Sequence, residues 1–519
     1  MEDIRELLVI ASPKKVTKLL KITQTKGKPS MIGALHRLVK QNNLTEGQIV
    51  AQLYGPKHTP SHPAYRALKN RFRDLLTTAV MDEDVYSSNY RDYDNAQING
   101  FRQLNLINLL LLRRAWHSAR YLSHTTLRRV KDFEILPINH RLASILASLY
   151  LGVGFDEKRF AKYQAMADYY AEAERVLNLV SSRYREMRRM MYAHKLLPKE
   201  IGTKVAEYVA DCEHLVKKYP HVSALQAMFF IMKVHGLTLV GNYVGAIETA
   251  NQAEQVLLKC KGAGKQSLSL MALTRVECSI KLRDFSQGIV QVKRAEKMVP
   301  SDSINHIKLS EYAITLGLQT GNFDYAYEQF ARVDRAVLNH LLTQQHVEYW
   351  LILEAYINLL VLAGRIDPSK RKGKLPDFKI YKFVNNVPSY SKNKQGMNIQ
   401  ILIFQVIYFI TQKQYGKIID RTDALARYGT RYLMNNENLR NNCFFKLLLT
   451  AEKCHFHRAA TVRESSKIYK KMTSPQAKKL GRANSTEIIQ YESLWEIVLE
   501  NLDTVLPDGR KLRRQRQQA

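Results

Sequence analysis

One pattern occurs three times between residues 237 and 338, and it constrains the fold more than any other feature of the chain. Each copy has Gly or Arg, then Asn or Asp, an aromatic residue, two variable residues and a small residue, followed by a segment with helical periodicity. The aromatic residues are Tyr243, Phe285 and Phe323, so successive copies are 42 and 38 residues apart. A fixed period of about 20 to 50 residues indicates a repeat architecture. The sequence therefore predicts a chain of stacked, similar units.

Each copy predicts two helices joined by a tight turn. Gly or Asn near a helix end can adopt the left-handed conformation that terminates the helix, and Asn or Asp then caps the next one. The aromatic residue starts the second helix and packs back on the first. The small residues Ala246, Gly288 and Ala326 let the two helices approach each other. The pattern resumes after residue 398, with Tyr415 and Phe456 as the turn aromatics.

These turns resemble those of the tetratricopeptide (TPR) superfamily. The residues that carry the resemblance are Gly241, Asn242, Tyr243, Ala246, Asp284, Phe285, Gly288, Gly321, Asn322, Phe323 and Ala326. The family repeats every 34 residues or so, and the copies here are longer. The resemblance implies an all-α, TPR-like α-solenoid of stacked helix hairpins. It also implies an interaction scaffold with a concave binding surface and no catalytic residues.

Shifts in composition divide the rest of the chain around these repeats. The predicted segments are 1–80, a basic helical domain; 81–236, a helical region with degenerate repeats; 237–364, the TPR-like repeats; 365–397, a basic insertion loop; 398–487, the resumed repeats; and 488–519, a C-terminal helix with a basic tail. Within the first segment, Thr45 is a predicted N-cap, and Gln48 occupies the capping-box position.

The chain is strongly basic. Lys and Arg number 79 against 47 Asp and Glu, which gives a net charge of +32. A polyanionic partner such as nucleic acid, an anionic membrane surface or an acidic protein would explain this excess, and so would a solvated basic surface. The five scattered cysteines favour reduced thiols. The first residues do not resemble a signal peptide, and no apolar run reaches the roughly 20 residues of a membrane span, so we expect a cytoplasmic protein.

Two basic regions are candidates for contact with a partner. One is a helix near residues 64–76, whose basic face is formed by Arg66, Lys69, Arg71 and Arg73. This helix could belong to a helix-turn-helix that contacts nucleic acid, or its basic face could simply be solvated. The other is the insertion, with Lys370, Arg371, Lys372, Lys374, Tyr381, Phe383 and Tyr390. Insertions in solenoids often map to the binding face, and mixed basic and aromatic residues suit a nucleic-acid strand, whereas the alternative is a disordered basic loop.

Two further motifs fail as sites of chemistry. The segment 262–267 resembles a phosphate loop, but Lys259 stands at the position of its first Gly, and Gln266 follows Lys265 where Ser or Thr is required. Cys454, His455 and His457 would suit zinc, but the repeat register makes them turn residues. We therefore predict no catalytic residue, cofactor or metal. The expected function is a non-catalytic protein-interaction scaffold; the alternative is a nucleic-acid-binding or regulatory protein, and the oligomeric state is open.

Overall fold

The computed structural model describes most of the chain, and every regular element in that part is helical. The described residues are 1–22, 30–41, 44–81, 92–152, 154–193, 197–260, 265–301, 303–333, 344–371, 378–379, 383, 397–418, 439–477 and 487–504. Across these ranges there is no strand, only an isolated parallel bridge between His457 and Asp503. The predicted all-α fold class is confirmed. The chain divides into two compact units, Met1–Arg129 and Val130–Ala519. The finer predicted segment boundaries remain predictions.

The first unit is a small helical domain. Its helices are α1 (Glu2–Ile10), α2 (Pro13–Ile22), α3 (Met31–Lys40), α4 (Glu46–Tyr54), α5 (Pro63–Met81) and α6 (Asp92–Leu112), followed by α7 (Trp116–Val130), which ends at the unit boundary. The capping box predicted at α4 is confirmed, because the Thr45 side chain accepts from the Gln48 amide and the Gln48 side chain accepts from the Thr45 amide. The core of α1 to α5 is apolar and includes Ile4, Leu35 and Phe72, which are fully buried.

The second unit consists of helices that pack in neighbouring pairs. They are α8 (Leu136–Gly152), α9 (Glu157–Ala193), α10 (Pro198–Val216), α11 (Ser223–Leu239), α12 (Tyr243–Lys259), α13 (Lys265–Leu282), α14 (Phe285–Met298), α15 (Ile304–Thr320), α16 (Phe323–Ala331), α17 (Gln344–Leu362), α18 (Met397–Thr411), α19 (Leu439–Lys453), α20 (Arg458–Met472) and α21 (Tyr491–Glu500). Pairs that pack together include α8 with α9, α11 with α12, α13 with α14, α15 with α16 and α19 with α20.

The same turn ends the first helix of successive pairs. A left-handed residue stands at Gly241, Arg283 and Gly321, with φ of 77°, 58° and 78°. The next amide donates to the carbonyl five residues back, as Asn242 does to Leu237 at 2.9 Å. This is the Schellman geometry that satisfies the last carbonyls of a helix. The same amide bond and a left-handed residue recur at the ends of α6, α17, α18 and α19, where the left-handed residues are Arg114, Gly364, Lys413 and His455.

The residue after the left-handed position can cap the second helix through its side chain. The side chain of Asn242 accepts from the Gly245 amide at 3.0 Å, and that of Asp284 accepts from the Gln287 amide at 3.0 Å. Asn322 differs, because its side-chain amide donates to the Thr320 carbonyl at 3.2 Å and makes no cap bond. The predicted N-caps are therefore present in two of the three copies.

Residues 487–504, which we name the C-terminal strap, contact the ends of five helices of the second unit. The Gln319 side chain at the end of α15 donates to the Glu487 carbonyl at 2.5 Å. Farther along, Arg365 after α17 donates to Glu500 at 2.7 Å. The remaining contacts are Arg283 after α13 with Gln490 at 3.0 Å, Lys413 after α18 with Asp503 at 2.8 Å, and the Phe456 carbonyl after α19 with the Asp503 amide at 2.9 Å. The strap therefore joins turns that are far apart in the sequence.

Arg440 of α19 anchors the strap through a buried ion-pair network. Its guanidinium donates to both carboxylate oxygens of Glu487, at 2.5 and 3.0 Å, and to both of Glu492, at 3.1 and 2.6 Å. It also donates to the Met472 carbonyl at 3.0 Å. The side chains of Arg440 and Glu487 are each 3% exposed. Burial disfavours the charged guanidinium, but the hydrogen bonds that it donates to the two carboxylates outweigh this effect, so the pKa of Arg440 is raised.

Replacement of Arg440 by Met should lower the free energy of unfolding by about 3–5 kcal/mol, because Glu492 loses its ion-pair partner Arg440 and the buried Glu487 keeps only Arg283, at 3.5 Å. Urea unfolding followed by tryptophan fluorescence measures this loss, since Trp495 lies in α21 and is buried. The matched control is Arg463→Met, whose exposed pair with Glu464 should contribute less than about 1 kcal/mol. Equal losses in the two variants would contradict the anchoring role.

Candidate functional site

The basic face predicted on α5 is partly engaged within its own unit. Lys69 Nζ lies 2.7 Å from Glu46 Oε1, and Arg73 Nε lies 2.8 Å from Asp3 Oδ2. The hydrogen bond from Arg73 lowers the pKa of Asp3 to about 2. Arg66 and Arg71 are exposed. Two of the four predicted nucleic-acid contacts would therefore have to exchange a carboxylate for a phosphate.

The described part of the insertion contacts helices of its own unit through Arg371 and Phe383. Lys370 Nζ lies 3.1 Å from Asp367 Oδ2, and Arg371 forms an ion pair with Asp324 of α16. The ring of Phe383 is 4% exposed and lies 5.3 Å, between centroids, from that of Phe404. A ring that stacks on a base must be exposed, so this position favours a core role for Phe383. The other predicted contacts, Lys372, Lys374, Tyr381 and Tyr390, lie outside the described residues.

The predicted turn residues lie between the helices of the pairs. Tyr243, Ala246, Gly288, Ala326 and Phe456 are buried, whereas Phe285, Phe323 and Tyr415 are partly buried. At Gly288 an added Cβ would lie 2.6 Å from the Leu316 side chain of α15, so a larger residue would require that buried side chain to move. Phe456 stands one residue earlier in its turn than the other aromatics, and its ring stacks on Tyr415 at 4.4 Å.

The structure brings together seven side chains that the sequence pattern did not single out, and we name them the polar stripe. They are Arg188 of α9, His235 of α11, Glu277 and Lys281 of α13, Lys308 and Tyr312 of α15, and Tyr349 of α17. The Tyr312 hydroxyl donates to Glu277 Oε2 at 3.0 Å. Lys308 Nζ lies 4.9 Å from the centroid of the Tyr312 ring and 5.9 Å from that of Tyr349. These contacts cross from α13 to α15 and on to α17.

Tyr184 of α9 links the first two members of the stripe. Arg188 Nη1 donates to the Tyr184 hydroxyl at 3.3 Å, and the Tyr184 ring lies 6.2 Å from that of His235. At the other end, the buried carboxylate of Glu311 accepts from Lys308 at 2.7 Å and from Trp350 Nε1 at 2.8 Å. Neighbouring residues therefore fix the orientation of both ends of the stripe.

The stripe is partly desolvated but still reachable by solvent. Burial lowers the pKa of His235, and the charge of Glu277 opposes that shift. Burial likewise lowers the pKa of Lys281 and raises that of Tyr349 to about 12. Yet Glu277 is exposed, and Tyr312 and the other three residues are partly exposed. Accessible polar groups with perturbed pKa values are typical of functional sites.

A register signal could have identified part of the stripe from the sequence. His235 and Glu277 stand six residues before the left-handed residues of their turns, and Thr315 has the same place before Gly321. Thr315 Oγ1 lies 3.2 Å from the Tyr349 hydroxyl, next to the stripe. Each residue alone is an ordinary polar residue of a helix. Only the shared position in three copies distinguishes these residues.

Other sites of chemistry receive little support from the described part of the chain. No group of three or more His, Cys, Asp or Glu side chains is placed to hold a metal ion there. Burial raises the pKa of Cys278 to about 12, so its thiol stays protonated at neutral pH. His457 Nδ1 accepts from the Ala460 amide at 3.4 Å as the cap of α20, and segment 261–264 lies outside the described residues. None of the described helices is both long and apolar enough to cross a membrane.

The free energy of unfolding should decrease as the pH is lowered, and His235 should account for part of that decrease. The folded-state pKa of this residue lies below its ordinary value of 6.5, so the unfolded chain binds more protons once the pH drops below that value. The variant His235→Gln removes the proton that the unfolded chain would bind at this residue. The urea midpoint should then fall less between about pH 7.5 and about pH 5.5 than in the wild type.

The matched control for this measurement is His214→Gln, a change at an exposed position on α10. It should leave the wild-type difference between the two pH values in place. An unchanged pH difference in His235→Gln would show that this imidazole does not titrate abnormally.

No protein-family model, curated protein or solved structure matches this chain.

Proposed function

We propose that the chain is a TPR-like α-solenoid that serves as a non-catalytic protein-interaction scaffold, with the polar stripe as the binding site for an extended segment of a partner protein. The repeated Schellman turns and the neighbouring helix pairs support the solenoid. The polar stripe supports the binding role, because six of its seven side chains come from the alternate helices α11, α13, α15 and α17.

The main support for this proposal is that the side chains of the polar stripe are partly desolvated and yet accessible from solvent. Hydrogen bonds made in a partly desolvated site are stronger than those on an open surface. The Lys281 ammonium can donate to carbonyl and carboxylate oxygens of a partner segment. Tyrosine and arginine, which Tyr312, Tyr349 and Arg188 supply here, are enriched among residues that dominate binding energy at interfaces.

The chemistry of the stripe favours binding over catalysis. Tyr312 and Glu277 form a close hydroxyl–carboxylate pair, at 3.0 Å. Burial raises the pKa of Tyr312 well above its ordinary value, and the Glu277 charge adds to this effect. The phenol therefore remains a protonated donor at neutral pH. Because its single O–H is donated to Glu277, the hydroxyl oxygen is left to accept from an N–H of a partner segment.

A library of phage-displayed random peptides of about 12 residues, which extend to roughly 40 Å, tests the proposal. Peptides selected on the wild-type protein should bind about tenfold more weakly to the double variant Lys281→Gln, Tyr312→Phe, because the first change removes a charged donor of the stripe and the second removes a hydroxyl acceptor. Fluorescence anisotropy of the labelled peptides gives the Kd values.

The control is the double variant Lys293→Gln, Tyr325→Phe, which makes the same chemical changes on the second helices α14 and α16. It should bind the selected peptides like the wild type. Selected peptides that bind both variants equally well would contradict the assignment of the stripe as the binding site.

Nucleic-acid binding is a second candidate function. It is supported by the net charge of +32 and by the exposure of Arg66 and Arg71. Under this candidate, single- or double-stranded DNA or RNA binds with an affinity that falls steeply with salt. Arg66→Gln with Arg71→Gln should lower the slope of log Kd against log salt by about two, because two phosphate contacts are lost.

A second variant separates the insertion from α5 in the same anisotropy measurement. It changes Lys370, Arg371, Lys372 and Lys374 to Gln. Unchanged affinity in this variant would show that these four basic residues of the insertion do not contribute to nucleic-acid binding. No binding by the wild type at physiological salt would remove the candidate function altogether.

A further inference from the structure

The first unit has an apolar groove, separate from the polar stripe, between the end of α1, the start of α2 and the end of α3. Its volume is about 610 Å³, within the range of about 300–1,000 Å³ that is usual for binding clefts. The least exposed residues that line it are Ala11, Val16 and Val39, each 2% exposed. At its edge Val9 is 87% exposed and Ile10 is 54% exposed. Large apolar side chains that remain this exposed next to a groove indicate an interaction site.

The edges of the groove are basic. Lys40 lines it, and the exposed Arg37 stands three residues earlier on α3. Thr17 lines it from α2, and the exposed Lys14 and Lys21 stand three residues before and four residues after it. Residues at these spacings are neighbours on a helix surface. Positive charge therefore flanks the groove on both α2 and α3.

The charged side chains that line the groove itself are Arg5, Glu6 and Lys40, which together carry one net positive charge. Arg5 and Glu6 both line it from α1. Arg5 Nη2 donates to the Leu44 carbonyl at 2.7 Å, so this guanidinium is already held by the unit. Glu6 is the acidic residue among the described residues that line the groove. The positive field that a partner meets comes from the flanking lysines and arginine.

We propose that this groove binds an acidic amphipathic helix of a partner protein. Such a helix inserts apolar residues at positions i, i+3 or i+4, and i+7 into a groove, and its polar face meets the flanks. Here the apolar residues would contact Val16, Val39 and Ala11. Glutamates or aspartates beside them would meet the lysines of α2 and the end of α3. The groove thus supplies both the apolar surface and the opposite charge.

The other occupants fit the groove less well. A second copy of this chain carries the same net charge of +32, which opposes self-association. A nucleic-acid strand presents phosphates, which gain nothing from an apolar lining. A membrane surface is broad, whereas the groove is concave. An amphipathic helix combines a narrow apolar face with charged flanks.

Two labelled peptides of about 18 residues, five helical turns, test this proposal against the full-length protein. Both carry Leu at i, i+3, i+4 and i+7; one has Glu and the other Lys at most remaining positions. Anisotropy should show that the Glu peptide binds, with an affinity that falls with salt, and that the Lys peptide does not. Val9→Asp and Lys40→Glu should each weaken binding of the Glu peptide by about tenfold.

Val244→Asp is the matched control, because Val244 is a 55% exposed valine of the second unit, and it should leave the affinity unchanged. The stripe variant Lys281→Gln, Tyr312→Phe should also bind the Glu peptide like the wild type, which separates this test from that of the proposed scaffold function. Equal binding of the two peptides, or no effect of Val9→Asp, would overturn the proposal. Binding of phosphatidylserine vesicles that requires Val9, without binding of the Glu peptide, would overturn it in favour of a membrane surface.

Discussion

The contact between Arg440 and the two carboxylates of Glu487 and Glu492 determines how the end of the second unit is arranged. A buried guanidinium needs a partner for every donor, and the strap supplies four of the five bonds. Once this network forms, the strap has one position, and its other residues come opposite the turns after α13, α15, α17, α18 and α19. Buried charge of this kind is costly when a partner is lost, so it fixes register more than it adds net stability.

The turns that the strap contacts share one backbone geometry, and the side chains at their left-handed positions differ for local reasons. Glycine adopts this conformation at Gly321 and Gly364 without a steric cost from Cβ. Arg283 and Lys413 adopt the same conformation despite their Cβ atoms, and the side chain of each donates a hydrogen bond to the strap. A common turn also keeps the first helices in one register, which is why His235 and Glu277 of the polar stripe come from equivalent positions in successive pairs.

The two candidate surfaces would bind their partners through different interactions. In the polar stripe, partial burial shifts the pKa values of His235, Lys281 and Tyr349 while leaving their side chains reachable, so binding there would depend on directional hydrogen bonds. In the groove of the first unit, Val9 and its neighbours offer apolar area, and the basic flanks contribute long-range attraction. Selectivity in the stripe would come from the geometry of donors. In the groove it would come from shape and the sign of charge.

Local rules within a short stretch of sequence determined the helical class, the repeated turns, the capping box of α4 and the caps at Asn242 and Asp284. Those features depend on residues a few positions apart, so backbone sterics and local hydrogen bonds suffice to predict them. The strap, the polar stripe and the buried position of Phe383 were decided by tertiary structure alone. Arg283 and Glu487 meet across more than two hundred residues of chain, and no local pattern encodes which distant helix end will supply a counter-charge or a core. Burial and pairing of a polar or aromatic side chain depend on the three-dimensional neighbours, which only the folded chain brings together.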